Sequence, residues 1–507
     1  MNSNKRILVN VTAQYTRTII NTLLSLYTVR LVLEALGQED YGLYGLVFGV
    51  VGLLGFITNA MVITTQRQLS FRFGQGDMSR VRQMFSNSVL LHLALVLILS
   101  LAMGALTSWL INGYLSISPA RQQVATVVYL LSIGALATSF ITAPFKALFI
   151  ARENIVYISC IDIMDGVLKL LFVLFLLPLG QDKLLLYAVM MLGIFLVQLL
   201  AYVIYAVACF EECAPRRFLR DYSKEDLRQL MGFAGWTTYG TGAVVVRTQG
   251  LQILFNKIFQ STVINAAYTI ALQAYSSVAF VASSVMNAMN PQIMKAEGEG
   301  DRARMLRLAE AESKFITAIM AVLFVPLIVE MPSLLGLWLK EVPAHTVFLC
   351  DSMLLAMLVD QLTMGLHTAN QAIGRIRLYT LLMYTPKVLV LPLAWLAFFC
   401  GGGIEWAMGL FVAVELLTAL MRIPFLHYQC GLSVGGYLRR VVWRVMPLCL
   451  ILPAVAVALQ RIVALPYAFL INIVATGLCG LALSYYTVLT KQERHALLAL
   501  FARHKGK

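Results

Sequence analysis

The chain has 507 residues, of which 60% are hydrophobic and 13% charged, with a mean hydropathy of +0.79. That balance excludes a soluble globular protein of this size, because too few polar residues remain to clothe its surface. The net charge of +14 would point to nucleic acid in a soluble protein. Here it gathers between apolar runs, so it is read as topological and no nucleic-acid partner is expected.

The apolar runs are about 20 residues or longer, enough to cross ~30 Å of hydrocarbon as helices. They show no polar–apolar alternation, which argues against a barrel. Fourteen spans are predicted, giving an all-α polytopic protein of the lipid bilayer. The first six are Val11–Leu36, Tyr41–Thr65, Val89–Ile111, Val124–Ile150, Ile155–Leu179 and Leu184–Phe210. A polar linker follows at 211–229, where Ser223 and Asp226 look like the start of a short amphipathic helix. The next six are Leu230–Phe255, Ile264–Met289, Phe315–Leu339, Val347–Asn370, Leu378–Cys400 and Trp406–His427. Val441–Val463 and Tyr467–Leu489 complete the set within a last region, 431–507. The expected lobes are therefore 1–210 and 230–430.

Orientation follows from Lys and Arg. With a cytoplasmic N-terminus the inner segments hold 27 of them and the outer loops 5 (Arg121, Lys183, Lys257, Lys340 and Arg461). Both termini are thus expected inside. The start MNSNKRILVN has no cleavable-signal pattern. Eight cysteines lie scattered without metal-ligand or disulfide spacing.

The two lobes repeat each other. At an offset of 224 residues Tyr44 falls on Tyr268, Gly74 on Gly298, Gly76 on Gly300 and Asp77 on Asp301. Arginines follow both copies (Arg80 and Arg82; Arg302, Arg304 and Arg307). Duplicated helix bundles are a common plan for secondary transporters, and that is the function class expected here.

The first external turn runs Leu36-Gly37-Gln38-Glu39-Asp40-Tyr41-Gly42-Leu43-Tyr44. It resembles the LG-x-x-x-YG-x-Y signature of bacterial polysaccharide flippases, in the multidrug/oligosaccharidyl-lipid/polysaccharide (MOP) superfamily. The 6+6 duplication with two extra helices and the Gly-x-Gly-Asp turns fit the same family. The resemblance implies two six-helix lobes around a central cavity, working by alternating access in the cell inner membrane. It implies a cargo of undecaprenyl-diphosphate-linked oligosaccharide, moved from the cytoplasmic to the periplasmic leaflet during O-antigen or capsule-like synthesis. Glycosyltransferase and polymerase machinery would be its partners.

Ionisable groups inside spans cost about 2.5–3.5 kcal/mol each on insertion scales and so need a reason. Lys169, Arg247 and Lys387 lie ~12–15 Å deep, too far for easy snorkelling. Facing one cavity, they would attract a diphosphate, with Arg17 and Arg30 as second-rank members. Lys146 and Lys314 lie near enough to the cytoplasm to snorkel. Asp162, Asp165 and Asp360 are the deep acids, read as candidates for a coupling Na⁺ or H⁺ or as counter-charges; an Asp165–Lys169 pair at i,i+4 is the structural alternative. No cofactor, metal or enzymatic activity is expected, since there is no Walker loop and no large external loop. The rival readings are a lipid II flippase and a multidrug exporter. The second sits poorly with cationic first and seventh spans.

Overall fold

The computed structural model describes residues 3–75, 78–152, 154–178, 182–213, 224–374, 376–462 and 468–495. Its regular elements are all helices. The first part contains α1 (Ser3–Gly52), α2 (Gly55–Gln75), α3 (Met78–Ser108), α4 (Gln122–Ala151), α5 (Ile155–Leu176), α6 (Lys183–Cys209), α7 (Lys224–Phe259) and α8 (Thr262–Gly298). Then come α9 (Arg302–Val329), α10 (Met331–Trp338), α11 (Thr346–Gln361), α12 (Met364–Ile373), α13 (Ile376–Phe399) and α14 (Ile404–Cys430). The last are α15 (Val434–Tyr437), α16 (Trp443–Ile462) and α17 (Ala468–Thr487). Among the described residues, nine helical segments are long and apolar enough to cross a membrane, or ten if the bent pair α11–α12 counts as one. The chain is a multi-pass membrane protein. Helix α5, which carries Asp162, Asp165 and Lys169, is not among the nine.

Two compact units divide the chain, Met1–Ile270 and Ala271–Lys507. In the first, Gly37 adopts φ +75° and breaks α1, a left-handed conformation that glycine takes without a Cβ penalty. The segment beyond the break packs on α7 and the start of α8. A Cβ on Gly42 would run into the Thr262 carbonyl, and one on Gly45 into Thr269 Oγ1. Gly49 meets Gln249 and Gln252 in the same way. Polar side chains knit this seam: Gln252 Nε2 donates to Thr269 Oγ1 at 2.9 Å and Asn265 Nδ2 to the Gln252 carbonyl at 2.7 Å. Buried Asn256 accepts from Ser116 N at 2.8 Å and donates to Ser116 O at 3.1 Å. The two glycines of the sequence signature, Gly37 and Gly42, are therefore a helix break and a helix contact.

The expected linker helix differs. Helix α7 runs unbroken from Lys224 through Leu230 to Phe259, with no proline to interrupt it. Ser223 and the Gly76-Asp77 turn lie outside the described residues. The second copy of that turn is described: Gly300 takes φ +79°, and Asp301 caps α9 by accepting from Arg304 N at 2.9 Å. In the second unit α16 and α17 pack on each other and on α9, where buried Asn472 donates to Glu330 at 2.9 Å.

Candidate functional site

In the first unit the charged cluster rests on a parallel contact between α1 and α5. Gly166 makes room, since a Cβ there would meet Asn21 and Leu24. One turn earlier on each helix, Arg17 Nη1 donates to Asp162 Oδ2 at 2.7 Å, and Asn21 Nδ2 donates to the Asp162 carbonyl at 3.1 Å. Lys146 Nζ approaches the other Asp162 oxygen at 3.9 Å from α4. Lys169 donates to Asp165 Oδ2 at 2.7 Å, one turn along the same helix, and its ammonium lies 5.9 Å from the Phe195 ring centroid. Asp162, Asp165 and Lys169 follow i, i+3, i+7, a single face about 10 Å long. Three cations thus meet two carboxylates. Arg17, Lys146 and Lys169 keep 21%, 39% and 30% of their side-chain surface exposed.

Arg247, on α7, is only 2% exposed. It reaches no solvent-open surface here, and Arg30 lies half-buried on α1. Neither joins the α1–α5 cluster through a direct ion pair with Asp162 or Asp165.

The second unit carries a separate, neutral network. Lys387 of α13 donates to Glu415 of α14 at 2.7 Å, both buried. Arg422, one helical turn further along α14 plus a further turn, pairs with Asp360 at 2.8 Å. Its Nη1 also donates to the Asp360 carbonyl and to Thr363 Oγ1, each at 3.2 Å. These contacts sit at the 50° bend between α11 and α12. A broken helix frees carbonyls that lipid cannot satisfy, and here Arg422 takes one while Tyr437 Oη donates to the Leu362 carbonyl at 2.7 Å. His367 and Tyr379 share a hydrogen bond of 2.9 Å beside the bend.

By sequence Arg422 counts among the 27 basic residues of the inner segments, and Glu415 is not one of the candidate acids. Arg422 instead stands inside α14, 4% exposed. Glu415 had a legible signal, an acid ten residues into a predicted span. Each of the three expected coupling acids, Asp162, Asp165 and Asp360, already faces a basic side chain.

No protein-family model matches the sequence, and no curated protein matches it. Solved structures do. A lipid II flippase, MurJ, in an inward closed conformation aligns with TM-score 0.66 at 10% identity, over 94% of this chain and 98% of that one. The fold is similar to that of solved transporters described as members of the MOP superfamily. A MATE multidrug transporter, DinF-BH, in complex with R6G aligns with TM-score 0.60 at 15% identity, over 84% and 96%. A MOP superfamily transporter from Pyrococcus furiosus, described by the reverse polarity of its binding pocket, aligns with TM-score 0.52 at 12% identity, over 85% and 94%. At such identities the likeness extends to the fold alone.

Proposed function

We propose that this chain flips an undecaprenyl-diphosphate-linked oligosaccharide from the cytoplasmic to the periplasmic leaflet of the inner membrane by alternating access, for O-antigen or capsule-like polymers. The observation that carries the reading is the α1–α5 cluster, where Arg17 and Lys146 converge on one carboxylate and stay partly exposed. A carboxylate shared by two cations leaves net positive charge, which attracts a diphosphate and repels a cationic drug. Lys169 extends the same face. Arg247 is a contact for another state of the cycle, once uncovered, with Arg30 as a peripheral one. Lys387, neutralised by Glu415, is assigned to holding α13 on α14.

The test is export-dependent surface glycan in a strain lacking the native gene, with membrane abundance followed in parallel. Arg17→Ala and Lys146→Ala are expected to lose export at normal abundance, and Lys169→Arg to keep it. Arg247→Lys should export partially, because its planar fork binds phosphate oxygens two at a time. Normal export by Arg17→Ala, Lys146→Ala and their double variant overturns the assignment.

A second reading, lipid II as cargo, is favoured by the span of the MurJ alignment, 94% of this chain against 84% for the multidrug transporter. Rescue of cells depleted of their peptidoglycan-precursor flippase separates it from the first.

A further inference from the structure

One face of the entry into α16 changes character along its length. Arg439, on a π-helical turn (Leu438–Val442), is exposed, and Trp443 follows it at 67% exposure. Met446 and Leu450 come next, and both are exposed as well. Spacings of four, three and four residues put the four side chains in one row. The row runs from cation to aromatic ring to aliphatic chain. Helix α17 shows the same order from its other end. Leu478 and Leu481 are exposed, then Tyr486, and the Arg494 guanidinium lies 5.4 Å from the Tyr485 ring centroid and 5.9 Å from that of Tyr486.

The two cationic ends meet. Arg444 Nη1, from α16, donates to the Val488 carbonyl at 3.4 Å. Arg494 donates to the Leu489 carbonyl at 3.2 Å and to the Tyr486 carbonyl at 2.5 Å. Arg439 stands five residues ahead of Arg444, the interval that a π turn closes. Carbonyls orient these guanidinium groups without neutralising them. Two acids of this region are taken: Glu310 accepts twice from Arg440, each at 2.7 Å, and Glu493 holds Lys314. Among the described residues no carboxylate pairs with Arg439, Arg444 or Arg494. A guanidinium has five N–H donors, so several at each arginine remain for an anion. Charge that only sets topology has to lie near the end of a span. It does not require two helices to aim arginines at one set of carbonyls.

We propose that Arg439, Arg444 and Arg494 bind the phosphate of an anionic phospholipid from the surrounding bilayer. Trp443 lies at the level of its glycerol esters, and Met446 and Leu450 lie along an acyl chain. The order of the row is the order of the parts of a phospholipid, which favours lipid over a soluble anion. The bound lipid fastens the end of α17 to the start of α16. This binding does not rest on the proposed cargo, whose contacts lie in the first unit.

The experiment uses the purified full-length protein in an uncharged detergent. Its thermal midpoint is compared with added phosphatidylglycerol and with phosphatidylcholine of the same acyl chains. Phosphatidylglycerol should raise the midpoint several degrees further, because a ligand of the folded state stabilises it. Arg439→Gln should require several-fold more phosphatidylglycerol for the same shift, and Arg439→Gln with Arg444→Gln should abolish the difference between the lipids. Loss of a carbonyl contact alone lowers the midpoint in both lipids and leaves that difference intact. Equal midpoints for the wild type overturn the site, as does a difference that persists in the double variant. Should the double variant not fold, native mass spectrometry of Arg439→Gln decides: phosphatidylglycerol retained as in the wild type overturns the site. Polyglutamate should give no shift; a shift equal to that from phosphatidylglycerol makes the occupant an acidic peptide and overturns the lipid. Arg17→Ala with Lys146→Ala should keep the lipid difference, and its loss there places the anion in the first unit and overturns the site.

Discussion

Lys387 and Glu415 form a pair in which neither charge is replaceable alone. Removing one partner of a buried ion pair costs about 3–5 kcal/mol, because the other loses its counter-charge. Lys387→Ala and Glu415→Ala should therefore each lower membrane abundance, while Lys387→Met with Glu415→Leu should restore it; quantitative blots of membranes report this. The last described helical turn offers a milder case. Lys314, 5% exposed on α9, donates to both oxygens of Glu493 at 2.7 and 2.8 Å. Burial works to raise the Glu493 pKa, but the bonds from Lys314 and Thr490 outweigh it and hold the carboxyl below the ordinary glutamate value. A carboxyl lowered in this way contributes fully above its ordinary range, and the contribution fades as pH falls through the lowered value. A spin label at Lys491→Cys should be immobilised at neutral pH and released in acid, whereas Glu493→Gln should release it at both.

At the scale of elements, the seam between the second part of α1 and the α7–α8 corner has little room to spare. Gly42→Leu places four extra carbons where the Thr262 carbonyl already sits, and overpacking of this kind costs ~1–3 kcal/mol or forces the helices apart. Gln252→Cys, otherwise 2% exposed, should then react faster with a thiol reagent than in a Gly42 background. The existence of these helices was legible from hydropathy, and the Asp165–Lys169 pair from its i,i+4 spacing. The purpose of Gly42 was not, because its partner lies 220 residues away and nothing local in YGLYG reports a helix contact. Arg422 was misplaced for a related reason. Near a span boundary an arginine looks like a loop residue, and only the bend between α11 and α12 explains its burial.

For the whole molecule, the asymmetry of Lys and Arg predicts which side faces the cytoplasm. Glu299→Cys, beside the Gly300-Asp301 turn and with 46% of its side chain exposed, should resist an impermeant maleimide added to intact cells and react after permeabilisation. Labelling in intact cells reverses the orientation. The boundary of the first compact unit at Ile270 adds a constraint on synthesis. A ribosome that has released the first six spans has delivered Gly42, Gly45 and Gly49 but none of Thr262, Thr269 or Gln252 on which they close. Until those residues are made, the face that carries the three glycines lacks the partner it packs on in the folded chain. Protein released at residue 210 retains that vacancy for its lifetime, and cellular quality control should clear it faster than a fragment that ends after residue 270.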